Sequence, residues 1–83
     1  MSDAPVTIEV LGPGCARCQE TYRVVRHVVE QSDFACTLTK SESIDRMVAL
    51  GVLQTPAIAI NGGVVLAGRI PTADEVKQLL GIA

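Results

Sequence analysis

The sequence predicts an α/β domain: a four-stranded mixed sheet in the order β-α-β-α-β-β-α, with helices on both faces. Three observations predict it. A β-branched run, Val6-Thr7-Ile8-Glu9-Val10-Leu11, gives way at Gly12-Pro13-Gly14 to a helical repeat that extends to about Gln31. Two short apolar runs flank Asn61-Gly62-Gly63, and Asn-Gly between apolar runs signals a hairpin because both residues tolerate positive φ. The C-terminal stretch opens on Thr72-Ala73-Asp74-Glu75, the pattern of a helix capping box. Strands joined by a helical crossover pair in parallel, whereas a hairpin is antiparallel, so the sheet is mixed.

Taken in order, the first strand is apolar on both faces apart from Thr7 and Glu9, which suits a central strand covered on both sides. In the helix from Cys15 to Gln31, Cys18, Tyr22, Val25 and Val29 fall on one stripe, flanked by Val24 and Val28. Valine is a poor helix former, so this helix depends on packing against the sheet. Ser32-Asp33 ends it, and Phe34-Ala35-Cys36-Thr37-Leu38-Thr39 reads as the second strand. Ser41 or Ser43 can cap a short second helix with Ile44, Met47 and Val48 inward, closed at Gly51. Ala57–Ile60 and Val64–Ala67 form the hairpin, and the last helix buries Val76, Leu79 and Leu80 before stopping at Gly81.

Composition narrows the function. The 83 residues are expected to form a single domain over 1–83, with a core of Val, Ile, Leu and Ala because the chain has one Phe, one Tyr and no Trp. A chain of this size buries roughly 60% of its unfolded surface. A net charge of −2 argues against nucleic acid, which needs a basic stripe, and the aromatic residues are too few to stack bases. The N-terminal stretch has no basic segment and its apolar run is too short for a signal peptide or a membrane span, so a cytoplasmic location is expected; the protein is also expected to be a monomer. In a reducing compartment Cys15-Ala16-Arg17-Cys18 is catalytic or metal-binding rather than part of a disulfide framework.

Two cysteines three apart at a helix start have β-carbons roughly 5–6 Å apart. A disulfide needs about 3.5–4.5 Å, so a small adjustment interconverts dithiol and disulfide. The helix N-terminus favours negative charge, which lowers the thiol pKa of the first cysteine; values of about 3.5–7.5 are usual there. Cys15 is therefore the attacking thiolate and Cys18, one turn further in, the resolving thiol. Arg17 adds positive charge between them. Cys36 reads as a core residue of the second strand. His27, nine residues beyond Cys18, lies about 13 Å further along the helix.

The element order, the Cys-x-x-Cys after the first strand and Gln54-Thr55-Pro56-Ala57 before the third together resemble the thioredoxin superfamily, in particular its small, glutaredoxin-sized redox-active disulfide proteins. The resemblance covers nearly the whole chain. It implies a thioredoxin-like fold and a protein-disulfide oxidoreductase with a Cys15–Cys18 redox disulfide. It also implies a cis Pro56 facing that disulfide and a substrate-facing backbone at Thr55. It further offers Glu9, six residues before Cys15, as a proton acceptor for Cys18. The motif here is Cys-Ala-Arg-Cys, not the Cys-Gly-Pro-Cys of thioredoxin or the Cys-Pro-Tyr-Cys of glutaredoxin, and Gly14 stands where thioredoxin has tryptophan. No nucleotide or flavin motif is visible and no cofactor is expected, so electrons come from a separate reductase protein or thiol. Two alternatives share the same cysteines. One is a soft-metal domain holding Cu(I) between two thiolates, although such domains run β-α-β-β-α-β and end on a strand. The other is a sensor that reports redox state without turnover. No structural metal site is expected, since zinc wants four ligands.

Overall fold

The computed structural model describes residues 6–14 and 16–82. Its elements are β1 (Val6–Leu11), α1 (Ala16–Gln31), β2 (Cys36–Ser41), α2 (Ile44–Leu50), β3 (Ala57–Ile60), β4 (Gly63–Ala67) and α3 (Ala73–Leu80). The sheet runs β2-β1-β3-β4. β1 pairs parallel with β2 and antiparallel with β3, and β3 pairs antiparallel with β4. The thioredoxin-like α/β fold expected from the sequence is the observed one.

Strand alternation separates two cores. Ile8, Val10 and Ile58 point to one face and meet Val25 and Val28 of α1 and Val76 of α3. Leu11, Ala57 and Ala59 point to the other and meet Met47 of α2. Glu9, between Ile8 and Val10, therefore belongs to the α2 face.

Three details depart from the sequence expectation. The fully buried stripe of α1 is Cys18, Thr21, Val25 and Val28, while Tyr22 and Val29 sit at its margin. Thr21 tolerates full burial because its hydroxyl donates to the Arg17 carbonyl at 2.9 Å. β2 starts at Cys36 rather than Phe34. The chain first completes a Schellman closure of α1: Asp33 adopts φ 50°, its N–H reaches the Glu30 carbonyl, and the Phe34 N–H donates to the Val29 carbonyl at 3.1 Å. Finally, α2 is capped by Ser43, whose hydroxyl accepts the Arg46 N–H at 3.1 Å, and Ile44 and Val48 are 64% and 72% exposed. A two-point ion pair from Arg46 to Glu9, with Met47 buried beside it, fixes which side of this short helix meets the sheet.

The hairpin and last helix follow local chemistry. Asn61 and Gly62 both have positive φ, and Asn61 also binds the start of β1 in both directions, N–H to the Thr7 carbonyl and Oδ1 from the Thr7 N–H. Thr72 and Glu75 form the capping box. Arg69 grips the Glu75 carboxylate, and with the Thr72 N–H it pushes that carboxyl down to about 2.

Candidate functional site

The site gathers at the C-terminal end of β1, where the chain turns through Gly12, Pro13 and Gly14 into α1. The β1–β2 pairing persists one residue past the strand, with the Gly12 N–H donating to the Ser41 carbonyl at 3.0 Å. Cys15, the expected attacking thiol, lies outside the described residues. Cys18 is 1% exposed and its sulfur rests against Gly12. A methyl group built on Gly12 would stand 2.1 Å from the Cys18 Sγ and 3.6 Å from the Thr55 Cβ, so glycine is the residue that leaves room for the sulfur. That close approach also puts Thr55 beside the cysteine turn, although 36 residues lie between it and Cys18 in the sequence.

The opposite wall is the segment before β3. The Thr55–Pro56 peptide is cis, and Pro56 is buried. The Pro56 carbonyl accepts the Gly68 N–H at 2.9 Å. The Gly68 carbonyl in turn accepts Arg17 Nη2 at 3.2 Å. Gly68 has φ 88°, a left-handed backbone that favours glycine. Arg17 thus reaches across from α1 to the loop behind Pro56.

Other residues singled out from the sequence are placed elsewhere. Glu9 faces α2, on the side of the sheet away from α1, and its carboxylate is held by Arg46 at 2.7 and 2.9 Å. The Arg46 hydrogen bonds lower its pKa against a smaller opposing effect of burial. This departs from the expected partnership with Cys18: the alternation that buries Ile8 and Val10 against α1 turns Glu9 the other way. Cys36 packs at the margin of the α1/α3 core, where burial pushes its thiol pKa up. His27 is exposed on α1. Among the described residues no three His, Cys, Asp or Glu side chains gather as a metal group. No helix among them is long and apolar enough to cross a membrane.

Sequence reasoning missed Glu42, in the turn between β2 and α2. Its carboxylate lies against Gly14. Its spacing from Cys15 follows no local pattern, and only the parallel pairing of β1 with β2 brings the ends of those strands together.

A fold in this strand order with a cysteine turn opposite a proline loop is the frame of a thiol-redox domain. The sequence model of the thioredoxin domain family matches residues 6–81, and the chain belongs to that family of thiol–disulfide oxidoreductases. It is 32% identical over 75 residues to a thioredoxin of Methanocaldococcus jannaschii, covering 90% of this chain and 86% of that protein. It is 27% identical over 73 residues to a thioredoxin of Methanothermobacter thermautotrophicus, covering 88% of this chain and 95% of that one.

Proposed function

We propose that Cys15 and Cys18 form a reversible dithiol/disulfide pair that exchanges electrons with disulfides in partner proteins. The observation that carries this reading is the seat of Cys18: a buried cysteine one turn into α1, its sulfur against Gly12 and next to Thr55. In the reducing direction the Cys15 thiolate attacks a partner disulfide, breaking its S–S bond and releasing one partner thiolate. A mixed disulfide holds the two proteins together. Cys18 then loses its proton and attacks Cys15, closing the Cys15–Cys18 bond and releasing the second partner thiolate. The dithiol gives up two electrons and two protons, and the partner gains both. A separate reductase protein or thiol reverses the oxidation.

On this reading the backbone at Thr55 meets the substrate and the cis Pro56 faces the Cys15–Cys18 pair; the support is the cis Thr55–Pro56 peptide and the approach of Thr55 to Gly12. Cys36 takes no part. The protein works as a cytoplasmic monomer.

The test is to equilibrate the protein in a series of redox buffers, alkylate it and weigh it. A two-electron transition that requires Cys15 and Cys18 but not Cys36, together with reduction of a protein disulfide, is expected. Stoichiometric tight Cu(I) binding without disulfide turnover would replace this reading with the soft-metal one. A normal redox couple without turnover would replace it with the sensor.

A further inference from the structure

Glu42 is an exposed acid in the turn between Ser41, which ends β2, and Ser43, which caps α2. Its carboxylate nevertheless lies close against the cysteine turn. A methyl group on Gly14 would be 3.0 Å from Glu42 Oε2, 3.1 Å from its Cδ and 3.3 Å from its Oε1. Gly14 has φ 80°, and its carbonyl accepts Gln19 Nε2 at 3.1 Å, so the turn is pinned on its other side by α1. Gly14 is peptide-bonded to Cys15, and α1 begins at Ala16 with no acid in its own first turn. The neighbouring loop thus brings to the start of α1 the negative charge that the helix itself lacks.

No ion pair among the described residues neutralises Glu42, although Arg17 and Lys40 keep their charges. Arg17 of α1 is turned to the Gly68 carbonyl, and Arg46 of α2 is committed to Glu9 of β1. Lys40 of β2 and Asp45 of α2 are exposed and belong to none of the four ion pairs among the described residues. Glu42 is in none of them either.

We propose that Glu42 tunes the Cys15–Cys18 pair, making its dithiol a modestly stronger reductant than the cysteine turn alone would be. This rests on the redox pair proposed above. The Glu42 carboxylate lies against Gly14, the residue bonded to Cys15, and like charges repel, which disfavours a thiolate on Cys15. The thiolate belongs to the reduced form. Destabilising it favours the disulfide product and makes the dithiol the stronger reductant, the reverse of the thiolate stabilisation that makes an oxidant. In the reducing direction two electrons and two protons pass to the partner, whose S–S bond breaks as the Cys15–Cys18 bond forms.

The test compares the full chain with Glu42→Gln, which keeps the shape and removes the charge. The rate of alkylation by iodoacetamide is measured against pH at low salt and at high salt, and the reduction potential is measured against dithiothreitol buffers. At low salt the Gln variant is expected to have its profile displaced to lower pH and to react about threefold faster below the midpoint, from like charges acting through solvent. For a two-electron couple measured above the thiol midpoint, where the thiolate is populated, a threefold change is about 14 mV, toward the less negative side. Near 1 M salt, where the screening length is about 3 Å, the difference is expected to collapse. Glu42→Asp is expected to stay near the parent, and Asp45→Asn, an equal charge change on α2 itself, to leave the profile in place. Superimposable profiles for parent and Glu42→Gln at low salt would overturn the proposal, as would displacement to higher pH or an equal displacement from Asp45→Asn. A parent protein with no two-electron couple requiring both cysteines would overturn the underlying reading instead.

Discussion

On the α1/α3 face, Ile8, Val10 and Ile58 of the sheet meet Val25, Val28 and Val76 of the helices, six buried aliphatic side chains in one cluster. On the α2 face the same strands offer Leu11 and two alanines to Met47, and beside them the polar pair Glu9–Arg46 joins helix to sheet. The first face is held by apolar area, which is indifferent to pH. The second carries little apolar area and borrows an ion pair, which is not. Cys18 projects from α1, the helix that packs on the first face, and its sulfur rests against Gly12 at the end of β1.

The two faces should respond to substitution by very different amounts. The largest effect belongs to the cysteine turn. Gly12→Ala forces a carbon into the space of the Cys18 sulfur, and disulfide exchange is expected to fall at least tenfold, about 1.4 kcal/mol or more of barrier, in a turnover assay with a protein disulfide. Next, Ile8→Ala opens the aliphatic core and is expected to cost about 3 kcal/mol in urea unfolding. Glu9→Gln on the α2 face is expected to cost about 1 kcal/mol at neutral pH, because the pair is buried on the Glu9 side but open to water on the Arg46 side.

The pH dependence separates the faces further. The folded state holds the Glu9 carboxyl below its ordinary value of 4.5. The pair therefore contributes its full stability above about pH 4.5, and that share is lost as pH falls through the lower folded value. Glu9→Gln should remove this acid-side slope, as read from thermal unfolding between pH 6 and 3, whereas Ile8→Ala should lower stability equally at every pH. The smallest effect is expected at Val48→Lys on the outer side of α2, within about 0.5 kcal/mol, since Val48 already faces water.

Most of the frame was legible because its signals are local. The β-branched run of β1, the Asn61-Gly62 turn and the Thr72–Glu75 box each settle their own conformation within a few residues. What escaped is non-local. The valine periodicity of α1 does not say that Thr21 can be buried through its bond to the Arg17 carbonyl. Nothing within α2 shows that Arg46 turns inward, because its partner Glu9 lies 37 residues earlier. Phe34 looks like strand by composition but is spent on closing α1. At the site, Cys18 was legible as a spacing and Thr55 through a family likeness. Glu42 was not, because its approach to Gly14 exists only once β1 and β2 lie side by side.

Among the described residues the strand order β2-β1-β3-β4 makes β2 and β4 the two outer strands, and they are unequally guarded. β2 presents Thr37, Thr39 and Lys40 to water, and a lysine on an outer strand discourages a second chain from adding to it. β4 presents Val64 and Val65, with only the irregular register at Ile58/Ala59 on its partner strand to disturb a flat approach. When the protein is crowded or partly unfolded, sheet growth and aggregation should therefore begin along β4, and a charged residue in place of Val65 would guard that margin as Lys40 guards the other.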